Sequence, residues 1–420
     1  MRKTTALMML LVVGMLSLPA LAAANEDSRY EALFDEIWKT VDSKFYDPAF
    51  HGADWRKIGD RYRAELTSVH DDLAFQRLAA SMLAELHVSH VGIAAPVASQ
   101  AKGGVGIGAS FERVGDALVV SAVAPLSDVE RKAIRAGEIV TTPPEGLRGP
   151  LGQVVEIQVT GCDGASRKIA VRREFSAWPP PQPTISWRQI TVKPGVKLGY
   201  IRPDRFDDGA ADLIDKAMRE LHDTQGIVID MRGGGNGNLS GLRLISYFAG
   251  PSRPMAALFA RPYLDRLGHA PAKADVDRLP QTRGAYTDAA IFKAIDEGHG
   301  AAAYYSEDMG LLRYRGKVVV VIDARTASAG EGFATGMRRL AGAKLIGRPS
   351  AGYLLSSQQF PLAGGWTLTI PVDGVWAPDG SDMGDKPTAP DITVPRTVAD
   401  ICQGRDPDLE RAVDLIEAEL

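Results

Sequence analysis

Apolar residues in the first quarter of the chain recur at the spacing of an α-helix. Between residues 26 and 98 they lie three or four positions apart in two stretches, which comprise Tyr30, Leu33, Phe34, Ile37, Trp38 and Val41, and then Phe75, Leu78, Met82 and Leu86. This spacing places them on one face of each helix. Asp71 precedes the second stretch and is a suitable N-cap residue. We therefore predict a helical N-terminal region.

The pattern changes to short β-rich runs in residues 101–174. Examples are 117–122 and 154–159, and Gly and Pro separate these runs from one another. A proline-rich stretch follows at 178–183 and predicts a stiff linker.

Strands and helices alternate after this linker. Strands are predicted at 198–202 and 226–230, with a helix at 209–222 between them. The run 317–322 is apolar without alternation, which is typical of a strand that is buried on both faces. Residues 251–315 form a long polar insert, for which we expect a surface excursion or a lid. The predicted fold class is α/β.

The first two dozen residues have the order of an export signal. Arg2 and Lys3 precede an apolar run at 5–18, and small residues at 20–24 suit cleavage. A retained membrane anchor is the alternative, although the run is short for one. We expect a periplasmic or secreted protein with no integral membrane span once residues 1–24 are removed.

Composition and charge limit the classes of partner. The chain has 420 residues, which is enough for two or three domains, and its 45% hydrophobic content is ordinary for a globular protein. Loss of Arg2 and Lys3 with the leader changes the formal net charge from -4 to -6, which disfavours a nucleic-acid partner. Cys162 and Cys402 leave a disulfide open, because export permits one but two distant cysteines do not establish it.

Ser328 stands in the most informative segment for catalysis. The predicted strand 317–322 leads through residues 323–328 into a helix with Phe333, Met337 and Leu340 on one face. A Ser at this junction presents its hydroxyl at the carboxyl edge of a sheet, and the free N–H groups of the helix start can stabilise an oxyanion. The alternative is that Ser328 only caps the helix, a task that Thr326 could also perform.

A glycine-rich turn closes another predicted strand at 230–237. Consecutive glycines let a backbone approach a ligand closely and direct N–H groups at it. An ordinary flexible turn is the alternative. A phosphate-binding loop is disfavoured, because no Lys-Ser/Thr pair follows.

Four segments, in the same order, resemble the motifs of tail-specific, C-terminal processing serine peptidases. They are Asp-Met-Arg-Gly-Gly-Gly at 230–235, Thr-Ala-Ser-Ala-Gly-Glu at 326–331, Gly-Arg-Pro-Ser-Ala-Gly at 347–352 and Ala-Pro-Asp-Ile-Thr-Val at 389–394. In this family the Ser three residues before the Glu is the nucleophile, so the resemblance implies that Ser328 has this role.

The resemblance to the family's tricorn-like branch concerns the general base. Tyr353 occupies the position at which the bacterial processing branch has its Lys base. The tricorn-like branch instead uses a His directly preceded by a Ser, with an acid late in the chain. Ser89 and His90 fall where that pair is expected, and the acid is then Asp385 or Asp382, of which we prefer Asp385. A neutral imidazole backed by a carboxylate is suited to take the Ser328 proton.

Two backbone N–H groups are expected to form the oxyanion hole, that of Ala329 and that of a glycine in the turn 233–235, of which we prefer Gly235. A metal site at His87 and His90, with Glu85 nearby, is the competing interpretation of the histidines. It lacks the H-E-x-x-H order and a third ligand, so we expect no metal and no cofactor.

The resemblance also implies the domain organisation. After the leader, we expect a helical region at 25–98, a PDZ-like β-rich domain at 102–175, a linker at 176–184, an α/β catalytic core resembling the tail-specific protease core at 185–400, and a C-terminal helix at 401–420. A PDZ-like domain adds a peptide to a sheet edge. A spacer without a ligand is the alternative.

The expected function is hydrolysis of peptide bonds through an acyl-enzyme on Ser328, with a peptide or an unfolded protein as the substrate. A catalytically inactive peptide- or ligand-binding member of the same fold is the main alternative. A serine esterase is a third interpretation, but the chain has no G-x-S-x-G elbow. The oligomeric state stays open.

Overall fold

The computed structural model of the chain describes residues 18–100, 104–176 and 183–420. Most of the predicted leader (1–17) and of the proline-rich stretch (177–182) therefore lies outside the described residues. No helix within the described ranges is long and apolar enough to cross a membrane.

The N-terminal region is helical, as its apolar spacing predicts. Its helices are α1 (Leu18–Lys44), α2 (Trp55–Ala64), α3 (Asp72–Ala84) and α4 (Val97–Gln100), and the strand β1 (Gly92–Ala94) lies between the last two. The carboxylate of Asp71 accepts a hydrogen bond from the Ala74 N–H at 2.7 Å, so Asp71 is the N-cap of α3. Buried Phe34, Ile37 and Phe75 show that the predicted faces are the core faces.

The following region is a five-stranded antiparallel sheet. It contains β2 (Ala109–Val114), β3 (Ala117–Val123), the short helix α5 (Asp128–Arg131), β4 (Ile139–Val140), β5 (Val154–Thr160) and β6 (Ser166–Arg172), with the strands adjacent in sequence order. Val120, Ile157 and Val171 are buried in its own small core. The two β-rich runs predicted in this region are strands β3 and β5.

The largest region runs from residue 183 to the end of the chain. Its elements are β7 (Ile185–Lys193), β8 (Val196–Pro203), β9 (Arg205–Phe206), α6 (Ala210–Leu221), β10 (Gly226–Asp230), β11 (Asn236–Gly237), α7 (Gly241–Phe248), β12 (Pro254–Ala260), α8 (Arg261–Leu267), α9 (Lys273–Asp277), β13 (Gln281–Thr282), α10 (Asp288–Glu297), β14 (Ala301–Tyr305), β15 (Lys317–Ile322), α11 (Ala329–Ala341), β16 (Lys344–Gly347), β17 (Ser356–Pro361), β18 (Thr367–Trp376), β19 (Ile392–Thr393), α12 (Val398–Cys402) and α13 (Pro407–Glu417). Short 3-10 helices at Phe50–Gly52, Glu65–Ser68, Pro144–Leu147, Gly310–Leu312 and Ala363–Gly365 complete the described chain.

One sheet of this region has the order β19-β16-β15-β10-β8-β7. All neighbouring pairs are parallel except β7 with β8, which are antiparallel. Val228 of β10 lies opposite Val319 of β15, so the carboxyl ends of these two central strands meet at the same edge. Ligands of open α/β sheets bind at such an edge, which is where the Gly-rich turn and Ser328 follow their strands.

A second sheet has the order β1-β18-β12-β14-β13, and β17 pairs with β18 along its other side. The strands β12 and β14 come from residues 251–315, and every residue of Ala301–Tyr305 is buried. The interpretation of this insert as a surface excursion or lid is therefore wrong. The physical reason is its alanine-rich strands, which have weak β propensity and are recognisable only from their pairing.

The two sheets and their helices form successive layers. Helices α6, α7 and α11 pack between them, because one continuous core contains Met218, Leu244 and Met337 from these helices and also Ile229 and Tyr304 from the sheets. Helix α13 covers the outer face of the parallel sheet, and α1 and α3 cover the outer face of the second sheet.

Cys162 and Cys402 form a disulfide, a pairing that the sequence left open. It joins the turn between β5 and β6 to the end of α12. Glu112 of β2 also forms ion pairs with Arg396 at 3.1 Å and with Arg325 at 3.6 Å. The five-stranded sheet is therefore tied to both the end of the chain and the loop that precedes Ser328.

Candidate active site

Ser328 is the residue that precedes α11, directly after the loop that follows β15. Its backbone has φ 55° and ψ -126°, a conformation that L-residues rarely adopt. The Ser328 N–H donates to the Tyr353 carbonyl at 2.7 Å and to a carboxylate oxygen of Glu331 at 3.1 Å. These two acceptors hold Ser328 in its strained position at the helix start, where the predicted strand–turn–helix places it.

Glu331 is a buried carboxylate that organises the neighbouring loop. Besides Ser328, it accepts hydrogen bonds from the Ser350 hydroxyl, the Gly352 N–H at 2.7 Å and the Tyr353 N–H at 2.7 Å. Sequence reasoning used Glu331 only as part of a motif and missed this role. The spacing Ser-x-x-Glu at a helix start is the signal that could have revealed it.

The Tyr353 side chain is not buried, as a Lys that acts as the general base would have to be. It is 54% exposed, whereas the backbone of Tyr353 contacts both Ser328 and Glu331. Tyr353, which the resemblance aligns with a Lys base, therefore positions Ser328 through its main chain.

The loop after β15 is tied to the Gly-rich turn after β10. The Asp323 carboxylate accepts from the N–H groups of Gly233 and Thr326, both at 3.1 Å. The Thr326 hydroxyl donates to the Met231 carbonyl at 2.9 Å. Thr326 is therefore engaged inside this loop and leaves the start of α11 to Ser328.

The two predicted oxyanion donors differ in their surroundings. Ala329 is the first residue of α11, and the first N–H groups of a helix have no acceptor within it. The Gly235 N–H donates instead to the Asp204 carbonyl at 3.2 Å, so it is already engaged, contrary to the expectation. A Cβ on Gly235 would lie 3.0 Å from the Gly330 Cα, which shows that this glycine allows the turn to pack against the helix start.

Asp230 and Arg232, which begin the first resembling motif, lie in a buried ion cluster. Arg232 pairs with Asp230 at 2.7 Å, and with Asp406 and Asp408 at 2.7 and 2.9 Å. Burial raises the pKa of Asp230, but its hydrogen bonds and ion pair with Arg232 outweigh this effect and lower it. These residues anchor the start of α13 to the parallel sheet.

His90 lies between α3 and β1, and the side chain of Ser89 contacts the Nδ1 side of its ring. The Ser89 hydroxyl is 2.9 Å from His90 Nδ1, and the Ser89 N–H donates to Asp385 Oδ1 at 3.2 Å. Burial lowers the pKa of His90 below its usual value of 6.5, and the negative charge of Asp385 opposes this shift. His90 is therefore neutral near pH 7.

Asp385 and Asp382 are placed differently relative to this pair. Among the described residues, the second oxygen of Asp385 is buried without a hydrogen-bond partner. Asp382 accepts from the Gly384 N–H at 2.9 Å and lines a separate cavity with Tyr46 and His51. The structure thus brings Asp385, not Asp382, to Ser89 and His90.

Ser328 and His90 line one cavity of about 980 Å³ between the two sheets. Ser328 reaches it from the edge of the parallel sheet, and His90 from the loop before β1. Its apolar wall includes Leu242, Met255 and Phe333, and residues of β17 form another part of the wall. A hydroxyl, an imidazole and the start of α11 thus line one partly apolar cavity, and these are groups that acyl transfer uses.

Glu85 and His87, the other members of the alternative metal site, do not line this cavity. Glu85 pairs with Arg61 at 2.7 Å and accepts from the Tyr62 hydroxyl at 3.1 Å. Its contacts are those of a residue that joins α2 to the end of α3.

Two family models match the chain. Residues 197–394 match peptidase family S41, and residues 27–84 match the tricorn protease C1 domain. Residues 197–394 therefore form a domain that is similar to peptidase family S41. The S41 match contains the Gly-rich turn, Glu331 and Ser328, whereas His90 lies between the two matched ranges.

Known relatives of this chain include tricorn protease homologues and C-terminal processing peptidases. It is 24% identical to the putative tricorn protease homolog 2 of Streptomyces coelicolor, over 92% of this chain and 32% of the relative. It is also 24% identical to the chloroplastic C-terminal processing peptidase of Tetradesmus obliquus, over 90% of this chain and 79% of the relative. The chain thus spans about a third of the first relative and most of the second.

A solved structure agrees with the fold of this chain. The photosystem II D1 C-terminal processing protease superposes with a TM-score of 0.52 at 18% identity, covering 92% of this chain and 97% of that protein. At this identity the likeness concerns the fold, which is that of the tail-specific protease core with N-terminal helices.

Proposed function

We propose that this chain is an exported serine endopeptidase that hydrolyses peptide bonds through an acyl-enzyme on Ser328. The observation that supports it most directly is the shared cavity of Ser328 and His90, with Ser89 and Asp385 behind the imidazole. The printed names of the relatives, tricorn protease and C-terminal processing peptidase, agree with a peptide or protein substrate.

In the proposed reaction His90 acts through its Nε2 atom. The tautomer required has its proton on Nδ1, which then donates to the Ser89 hydroxyl. Nε2 takes the proton of Ser328 as the hydroxyl oxygen attacks the peptide carbonyl, and it returns this proton to the leaving amine. A water molecule, deprotonated in turn by His90, releases the acyl group from Ser328.

Different residues stabilise the oxyanion of the substrate and the imidazolium of His90, the two charges that form during the proposed reaction. The Ala329 N–H and the first turn of α11 stabilise the oxyanion of the tetrahedral intermediate. Asp385 stabilises the imidazolium through its charge and holds the Ser89 backbone. We assign Gly235 to the close packing of its turn rather than to donation, because its N–H is engaged.

The proposal includes export to the periplasm or the medium, which rests on the order of basic, apolar and small residues in 1–24. The N-terminus of the mature protein should lie near residues 23–25. Mass analysis of the exported fraction would contradict this part if it showed an intact Met1.

A fluorophosphonate reagent tests the nucleophile directly. It should attach to Ser328 of the wild-type protein, as located by peptide mass spectrometry, and the Ser328→Ala variant should be neither labelled nor active. An inactive binding member would not be labelled at Ser328. An esterase would be labelled and would cleave an activated ester, yet it would leave an unstructured peptide intact.

A further inference from the structure

The strand β17 forms an edge of the second sheet, and it lies in the wall of the candidate active site. Within the described part of the chain β18 is the strand with which it pairs. Four consecutive residues, Ser356, Ser357, Gln358 and Gln359, line the same cavity as Ser328 and His90. The open side of β17 therefore lies along the space in which a substrate would bind.

The register of β17 shows which of its backbone groups face the open side. Ser357 lies opposite Pro371 of β18, whose carbonyl accepts from the Tyr46 N–H at 3.2 Å and so points away from β17. Ser357 and Pro371 are therefore a non-hydrogen-bonded pair, in which the Ser357 N–H and C=O point outward. Gln359, two residues further along, has the same orientation.

These outward groups are available for a partner. Within the described residues no hydrogen bond engages the main-chain N–H of Ser357 or of Gln359. Pairing is confined to a short stretch, because a register irregularity lies between Ser356 and Ser357 and Pro361 ends the strand. Such irregularities and prolines limit pairing between sheets, so this edge fits a short extended segment.

We propose that the substrate polypeptide binds as an added strand along β17, with main-chain hydrogen bonds to Ser357 and Gln359. The proposal rests on the proposed peptidase function, since it places the bound segment beside Ser328. Main-chain pairing supplies affinity that does not depend on side chains. The uncharged side chains of Ser357, Gln358 and Gln359 add no charge preference along this edge. We therefore expect recognition to require an extended conformation more than a particular sequence there.

Two variants at position 359 separate the contribution of the main-chain N–H from that of the side chain. Gln359→Pro removes the N–H and the side chain, whereas Gln359→Ala removes the side chain alone. Because the Gln359 N–H faces away from β18, its loss leaves the pairing of the two strands intact. With an unstructured peptide, kcat/KM of Gln359→Pro should be about 5- to 100-fold below that of Gln359→Ala, the range expected for one unsatisfied hydrogen bond.

A fluorophosphonate separates this proposal from the proposed function, since the reagent is too small to pair with β17. Equal labelling of Ser328 in both variants shows a folded site. If wild-type Ser328 is not labelled, the peptidase function itself fails. If labelling is equal and both variants cleave the peptide equally, the added-strand proposal is overturned. A wild-type dimer that Gln359→Pro dissociates in sedimentation would also overturn it, because a second copy would then occupy the edge.

A scan of the substrate decides the matter even if Gln359→Pro does not fold. Single N-methyl groups are moved along one cleavable peptide and assayed with the wild-type protein. Strand pairing predicts losses of cleavage at every second position, because alternate N–H groups face β17. Equal tolerance at all positions away from the cleaved bond would overturn the proposal.

Discussion

Three residues with positive φ meet at the candidate site. Ser328, His90 and Asp385 have φ of 55°, 57° and 50°, and none of them is a glycine. Each such backbone costs on the order of 1–3 kcal/mol and persists only where surrounding contacts fix it. The contacts are visible here, since Glu331 and the Tyr353 carbonyl hold Ser328. Strain of this kind concentrates at functional sites, which agrees with the proposed roles.

The pKa of His90 predicts the pH dependence of peptide cleavage. Burial lowers this pKa below 6.5, and only the neutral imidazole can accept the Ser328 proton. The group is protonated and inactive below its pKa, so kcat/KM should rise with pH through an apparent pKa below 6.5 and then level off. A rate profile measured between pH 4 and 9 checks this, and a midpoint above about 7 would contradict it.

Asp385→Asn is the informative variant in the same assay. Asp385 raises the pKa of His90, so loss of its charge should move the rising limb to lower pH and also reduce kcat. Asp382→Asn is the matched control, because Asp382 lies at a separate cavity, and the midpoint of its profile should not move. A shift with Asp382→Asn alone would reverse the assignment of the acid.

His90→Ala and Tyr353→Phe should have very different consequences. Loss of the base should reduce kcat by roughly 10³-fold or more, by comparison with deletions in serine triads. Tyr353→Phe should retain most of the activity, because the contacts to Ser328 and Glu331 come from the backbone and the side chain is exposed. Both are measured as kcat on one unstructured peptide. A fully active His90→Ala together with an inactive Tyr353→Phe would refute the proposed mechanism.

At the scale of elements, the site depends on the start of α11 and on the loop that Glu331 holds. Glu331→Gln replaces one carboxylate oxygen with an NH₂ group that cannot accept from the N–H groups around it. The free energy of unfolding, measured with urea, should fall by about 3 kcal/mol or more.

Glu297→Gln is a matched control for this loss. Glu297 is an exposed residue of α10 that pairs with Lys293 at 3.6 Å, and such pairs contribute about 0–1 kcal/mol. Fluorophosphonate labelling of Ser328 should be slower in Glu331→Gln and unchanged in Glu297→Gln. Equal stability of the two variants would show that the buried carboxylate is not needed to hold the loop.

At the scale of the whole molecule, the disulfide joins regions that are far apart in the chain. Cys162 and Cys402 are separated by 240 residues, and a cross-link over so long a loop restricts the unfolded chain strongly. Replacing both with Ala should lower the free energy of unfolding by about 2–5 kcal/mol under oxidising conditions. Added reductant should destabilise the wild-type protein but not the variant, and equal unfolding curves of the two proteins without reductant would contradict the prediction.

Sequence patterns were most informative where a local rule is sufficient. The apolar spacing in 26–98 predicted α1 and α3, because the period of a helix determines which residues share a face. The continuous run 317–322 predicted β15, and the order of four motifs indicated the peptidase family whose model matches residues 197–394. The position of Ser328 between a strand and a helix start was predicted in the same way, since a strand, a turn and a helix start are all local features.

Tertiary structure decided what depends on pairing between distant segments. Ala301–Tyr305 was not recognised as a strand, because alanine has weak β propensity and only its neighbours β12 and β13 define it. The engagement of the Gly235 N–H by Asp204, and the choice between Asp385 and Asp382, likewise depend on which loops meet. The period of apolar residues specifies which face of a helix or strand is buried but not which surface covers it. The cavity shared by Ser328 and His90 therefore forms only when the two sheets pack around the helices between them.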